Sequence, residues 1–536
     1  MKQQQLARVL TVFLALGFIA LPHIASAADT VFSAGGNFKL TFYNAGESST
    51  MKSNHYTSTY TLAPWQKDAV LYGINYWEQV LGGSFTNKSA LPVNVVTSDI
   101  FNAVSQNYGD YDSAKDFVEN IFALGILENY TASANEALTT IEIGRGLYPP
   151  EEAEQVYLTP LPQLSGGKSG ALADTMIHEL GHSLGVMNFL QEDRYHLWVG
   201  TSGTKSLYSS HLYDWRGVQA VPGLELKTVN HTPSGSNYFD LPGAETYSFN
   251  AQRKLPYFAG DQVTKVLAGA KLATYSRLGY QLNQEPVPGV PVDSVECTYY
   301  GAYNHDTGEG ELVDLSHLEL RNSMMSHQFF RNYQTFMEVE LAVLQDLGYT
   351  IDLRNFYGRS IYNNGLNLTN TAPYYARNTA GTAYLTGTPN QMDYGIGLHL
   401  YGDNNTVYQA ADLLAGGRAG VGIRVDGQGN NVTVNGGTRV RADGLNGNGI
   451  LVAFGKNHNL TLAPGSMVTA DGSGGIGAVF DFGVSMNGYW HAARASYASR
   501  EVGHFDYASD IDVDGPLVDT FMINGSLSGS SAAIHM

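Results

Sequence analysis

The sequence predicts two regions of different class: an α+β domain over residues 28–354 and a β-solenoid over residues 355–536. Three observations carry this. ALADTMIHELGHSLG (171–185) has the apolar spacing of a helix, and the strand-like runs LPVNVVT (91–97) and LTTIEI (138–143) precede it, so that helix is expected against a sheet. TFMEVELAVLQDL (335–347) reads as a further helix, stopped at Gly348. After Asn355 the texture changes: Gly, Asn, Asp and Thr rise, and short Val/Ile/Leu pairs recur with a period of about 25 to 28 residues, the length of one solenoid coil.

The elements follow in order. Lys2 and Arg8, an apolar run over 9–21 and the small residues Ala25-Ser26-Ala27 make a secretory signal peptide over 1–27, with the mature chain beginning at Ala28. The apolar run is short for a membrane span. Residues 30–61 read as polar strands. Trp65, Val70, Ile74, Trp77 and Val80 recur at helical spacing behind Pro64, which predicts a helix over 63–81. Residues 186–315 form a long Tyr-, Gly-, Pro- and Ser-rich insert with one helix near 261–272. Beyond it, Gly397-Leu398-His399-Leu400, Gly422-Ile423-Arg424-Val425 and Gly449-Ile450-Leu451-Val452 each open a repeat, and residues 437–444 echo 465–472.

Composition narrows the function classes. Charged residues are only 15% of the chain, with 60 Gly and 34 Tyr, a balance suited to a β-rich exported protein. A net charge of −19 opposes a nucleic-acid or anionic-membrane partner, whose phosphates it would repel. The single cysteine, Cys297, has no second thiol to pair with and sits in ECTYYGAY without a basic neighbour, which reads as inert.

The chemistry lies in His178-Glu179-Leu180-Gly181-His182, an H-E-x-x-H arrangement. Residues four apart share one helix face, so His178 and His182 can present two imidazole nitrogens to a single ion. That pair suits a tetrahedral zinc with one position left open. Glu179 emerges beside them, placed to take a proton from water and later return it to a leaving amine. The plainer reading is a buried helix whose histidines bond only to neighbours. The helical setting, with Gly185 placed to end the helix, argues against it.

Two histidines leave the ion one ligand short. In the longer pattern H-E-x-x-H-x-x-G-x-x-H the third would stand where this chain has Asn188, an amide that binds zinc poorly. His196, His211 and Glu192 follow at short range, and His231 and His305 stand in loops. His317, in DLSHLELRNSMMSHQFF, is the candidate followed by a tight polar turn and a well-formed helix. In HELGHSLG, SHLELRNSMMSH and VELAVLQDLGY, over roughly residues 64–349, the chain resembles the metzincin zinc metalloproteases, specifically their leishmanolysin-like branch. The resemblance implies a metzincin-like catalytic domain and one catalytic Zn2+ held by His178, His182 and His317, with Glu179 as general base. It also implies a methionine turn beneath the metal, formed by Met324 or Met325, with Met325 preferred as a polarisable apolar floor. His327 then falls where some metzincins place a tyrosine that stabilises the oxyanion. An imidazolium there could donate a comparable hydrogen bond, worth roughly 3 kcal/mol of barrier.

Residues 355–536, together with the leader, resemble the passenger region of a bacterial autotransporter. That implies a right-handed parallel β-helix and export to the cell surface or medium, with the periplasm as the other compartment. The amphipathic strands and aromatic girdles of a C-terminal barrel, through which such a chain would associate with an outer membrane, are not found. The expected function is a secreted zinc endopeptidase, a hydrolase acting on protein or peptide. The alternative is a surface adhesin or autotransporter stalk with a vestigial metal site, which Asn188 and the solenoid favour. Carbohydrate processing would want paired carboxylates about 5 to 10 Å apart. Asp443 and Asp471 recur at matching places, but in turns. No complete loop motif supports Ca2+ in the Asp/Asn/Gly-rich loops.

Overall fold

The computed structural model describes the chain apart from residues 1–27, 152–167, 188–190, 193–196, 199–205, 227–256, 273–287, 293–315, 327–334, 481–489, 493–498 and 502–515, and short breaks between 52 and 147, between 214 and 224 and around 320. The expected signal peptide over 1–27, Cys297 and most of the insert therefore lie outside the described residues. Among the described residues no helix is long and apolar enough to cross a membrane. The helices are α1 (Pro64–Val80), α2 (Ile121–Leu127), α3 (Lys168–Ser183), α4 (Leu207–Ser210), α5 (Asp261–Leu267) and α6 (Glu338–Asp346).

The first region is α+β. Its five-stranded sheet runs Asp29–Phe32, Phe38–Phe42, Leu91–Ser98, Thr139–Gly144, Ala103–Gln106 in spatial order. The three inner strands are parallel and the two outer ones antiparallel to their neighbours. Val93, Val95, Ile141 and Ile143 are fully buried, as β-branched residues on central strands should be. Helix α1 starts at Pro64, whose missing N–H costs nothing in a first turn, and Gln66 accepts the Ala63 N–H at 2.7 Å. It packs on α3, where Trp77 Nε1–H donates to Ile177 O at 2.9 Å. The approach is close because position 73 is glycine: a Cβ there would lie 2.7 Å from Met176 Cβ.

Two helices are shorter than their patterns. The spacing predicts α5 to about 272, but Ala268 and Gly269 take left-handed backbone (φ 49° and 84°) and end it at Leu267. Its first turn is tied to α6, since Asp346 accepts the N–H groups of Gln262 and Val263 at 2.9 and 3.0 Å. Helix α6 is expected from 335 and starts at Glu338. The Glu340 carboxylate accepts the Met337 N–H at 2.6 Å and fixes the cap there. Thr335, just before, instead bridges Ser323.

From Tyr357 the chain visits three parallel sheets in turn, of six, five and four strands. Ile423 pairs with Leu398 and Ile450, Val432 with Leu460, and Val440 with Val468, so the sequence repeats stack in register. Leu398, Leu400, Ile423, Val425, Ile450 and Val452 form the interior. The glycine opening each repeat has a steric reason: a Cβ on Gly422 would lie 2.3 Å from Val440 Cγ1 and 2.5 Å from Gly449 O. The Asp443 and Asp471 turns also stack, with Asp443 Oδ1 accepting the Asp471 N–H at 3.1 Å, a structural use of the carboxylate.

The two regions share one apolar cluster. Ile396, Tyr401, Val421, Leu451 and Val479 pack with residues of α1, α3 and α6. Strands Ile396–Leu400, Val421–Val425 and Asn448–Val452 are consequently buried at every position, where a half-exposed strand would alternate. Tyr357 Oη donates to Phe336 O, and Tyr362 Oη accepts the Val339 N–H at 3.1 Å.

A buried charged group lies on the same sheet. Asp426 Oδ2 is 2.8 Å from Arg424 Nε and 2.9 Å from His399 Nε2, and all three side chains are buried. The Asp426 carboxyl is held well below the usual carboxylate range: Arg424 and His399 outweigh the opposing effect of burial. Asp426→Asn should cost about 3 kcal/mol near pH 7, because it leaves a buried guanidinium without its counter-charge. A depressed folded-state pKa means that the stabilisation is present above roughly pH 4 and lost as pH falls below it. The gap between wild type and variant in urea unfolding should therefore narrow toward pH 3. A constant gap would show that the charge contributes nothing.

Candidate metal centre

Helix α3 ends at Ser183, and Gly185 just beyond it takes a left-handed backbone (φ 105°) that suits glycine. The chain then turns so that Val186 O accepts from His182 Nδ1 at 2.9 Å. One turn earlier, His178 Nδ1 lies 2.6 Å from Met324 O. Each ring is thereby aimed by a backbone carbonyl behind it, an arrangement that orients metal-binding histidines. His317 enters from a separate segment, steadied by the bridge between Leu318 and Val292 and by the Leu318 N–H to Met325 O bond of 2.9 Å.

The three Nε2 atoms converge. His178 Nε2 lies 3.2 Å from that of His317 and 3.1 Å from that of His182. Nitrogens bound to one tetrahedral metal ion at roughly 2.0–2.1 Å stand about 3.3 Å apart, close to these two separations, and all three ligand atoms lie within 4.8 Å of one another. An Nδ1 facing a carbonyl oxygen carries a proton, so in the neutral rings of His178 and His182 the lone pair stands on Nε2. Lone pairs facing each other at 3.1 Å repel unless positive charge lies between them. One added proton bridges a single pair; three converging nitrogens are served together by a metal. The triad could hold a metal ion, and among the described residues no other group of His, Cys, Asp and Glu side chains converges in this way.

Glu179 is buried beside the triad, and its Oε2 accepts the Ser105 N–H at 2.9 Å. Ser105 belongs to Ala103–Gln106, the edge strand of the five-stranded sheet, so the carboxylate ties α3 to that strand, and Ser105 O accepts from Asn107 Nδ2 at 3.3 Å. Below α3 lies Met325, fully buried. A Cβ on Gly181 would come within 2.4 Å of its sulfur, which explains a glycine inside the motif. Met324 contributes its carbonyl to His178, so the two methionines have different tasks.

The turn carrying them is fastened from α6. Glu340 Oε1 accepts the Met325 N–H at 3.1 Å and the Ser323 hydroxyl. Burial pushes its carboxyl up to about 7, against the pull of hydrogen bonds from Met337, Ser323 and Met325. Sequence reasoning passed over both Glu340 and Ser105. Glu340 stands three residues after the N-cap Met337, where a capping signal is readable, but its second task at the turn is a long-range contact. Ser105 carries no local signal.

The other sequence candidates divide. His211 stands apart from the triad, its Nδ1 3.2 Å from Ala259 O and its ring against Phe258. Glu192 lies in the short strand Gln191–Glu192, and its side chain is outside what is described. Asn188, His196, His231, His305 and His327 all lie outside the described residues. The chain matches no protein-family model, no curated protein and no solved structure.

Proposed function

We propose that the chain is an exported zinc-dependent endopeptidase, with zinc held by His178, His182 and His317 and Glu179 as general base. The observation that carries this reading is the approach of His178 Nε2 to those of His182 and His317, at 3.1 and 3.2 Å, with the Nδ1 atoms of His178 and His182 against backbone carbonyls and Glu179 buried next to His178 in sequence. The metzincin-like reading, of the leishmanolysin-like branch, rests on the motif and its methionine turn. The three parallel sheets are read as a right-handed β-solenoid like an autotransporter passenger, and export rests on the leader pattern over 1–27.

Zinc at the triad would supply a Lewis acid that polarises a carbonyl and acidifies water. The protein's own part is to orient and to move a proton. The carbonyls of Met324 and Val186 hold the imidazoles in their metal-binding tautomer. Glu179 accepts the proton of the attacking water on a carboxylate oxygen and returns it to the departing amine nitrogen, so acid and base are one group used twice. Protein or peptide as substrate rests on the H-E-x-x-H motif and the metzincin-like resemblance.

The test is metal content and its consequence. The purified full-length chain should hold one equivalent of zinc. Hydrolysis of an unfolded protein substrate should cease with a chelator and return on adding zinc. A chain that holds no zinc, or cleaves unaffected by the chelator, would leave the exported scaffold as the better reading.

A further inference from the structure

We propose that Glu340 is a positioning residue of the metal centre: from inside α6 it sets the turn whose carbonyl orients His178. The inference rests on the triad being a metal site and names a residue outside the H-E-x-x-H motif on which its affinity depends. The chain of contacts is short. Glu340 Oε2 takes the Met337 N–H at 2.6 Å, which places α6. Its Oε1 takes the Met325 N–H at 3.1 Å and the Ser323 hydroxyl, which places the turn. Between those two residues is Met324, whose carbonyl oxygen is 2.6 Å from His178 Nδ1. The same turn ties down the third histidine, because Leu318, next to His317, donates to Met325 O at 2.9 Å.

The chemistry of the side chain matters as much as its place. Three donors from two segments converge on it, and only a carboxylate offers acceptors on both oxygens. A glutamine presents NH2 on one side and meets an N–H or hydroxyl there, so the turn or the cap must give way. Burial sharpens this: Glu340 is 1% exposed, and a buried donor left without its acceptor costs its full desolvation. The motif helix supplies two ligands whatever the turn does. The turn decides whether His178 is held in the right tautomer and whether His317 stays beside it.

The experiment uses the full-length chain and reads metal rather than turnover. Zinc affinity is measured by competition with a chromophoric chelator, and the site is filled separately with Co2+ to record its visible absorption. Glu340→Gln should weaken zinc binding by about 10- to 100-fold, the usual cost of losing support behind a ligand, and alter the cobalt spectrum. Ser323→Ala removes one donor to the carboxylate and leaves the helix cap alone. It should weaken zinc by about 3- to 10-fold, which keeps the proposal testable if the glutamine variant does not fold. Tyr362→Phe, which takes away the acceptor for Val339 N–H on the same helix, is the structural control and should lower the melting temperature while leaving zinc affinity in place. Wild-type affinity and spectrum in folded Glu340→Gln or Ser323→Ala would overturn the proposal, as would an equal loss in Tyr362→Phe. A wild-type chain that binds no zinc would instead remove the metal site itself, and the proposal with it.

Discussion

Glu179→Gln is expected to keep its equivalent of zinc and lose proteolysis by about a hundred- to ten-thousand-fold. The substitution is nearly isosteric, and the amide oxygen can still accept the Ser105 N–H that Glu179 Oε2 receives at 2.9 Å. The edge strand and α3 therefore have no reason to move. What disappears is a basic oxygen that can hold a proton between the attack of water and the departure of the amine. Metal analysis and initial rates on one preparation separate these effects. Undiminished cleavage with zinc in place would dismiss Glu179 as the base; loss of zinc along with activity would assign it a structural task.

His317→Ala is expected to strip the chain of stoichiometric zinc, weakening its binding by well over the roughly 100-fold lost on removing a group behind a ligand. Only His178 and His182 would remain, and catalytic zinc ordinarily takes three protein ligands. The variant should stay folded, because the apolar cluster around α1, α3 and α6 does not depend on this imidazole. Circular dichroism checks that point, and zinc titration reads the effect. Zinc held at wild-type affinity without this side chain would show that the ion is bound elsewhere, and the assignment of the triad would fail.

Much of the architecture is legible in the chain because the signals are local. The pairing of His178 with His182 follows from helical periodicity, which places residues four apart on one face. The stacked repeats after Asn355 follow from recurring Gly-apolar tetrads, and the structure places Ile423 beside Leu398 and Ile450. Helix ends were less legible. Thr335 and Phe336 fit the apolar pattern of α6, yet Glu340 caps the helix at Met337 and leaves them in extended chain.

By itself the sequence determined the H-E-x-x-H face, the two classes of region and the roster of histidines from which a third could come. The resemblance named His317 among them, and the fold places that distant histidine within 3.2 Å of His178. The fold also decided that Gly181 leaves room for Met325 and that Glu340 fastens the turn beneath the triad. The physical reason is the same in each case. Periodicity and propensity act over one or two turns of chain, whereas convergence of side chains from remote segments is settled by how sheets and helices share a core, and no local pattern records that packing.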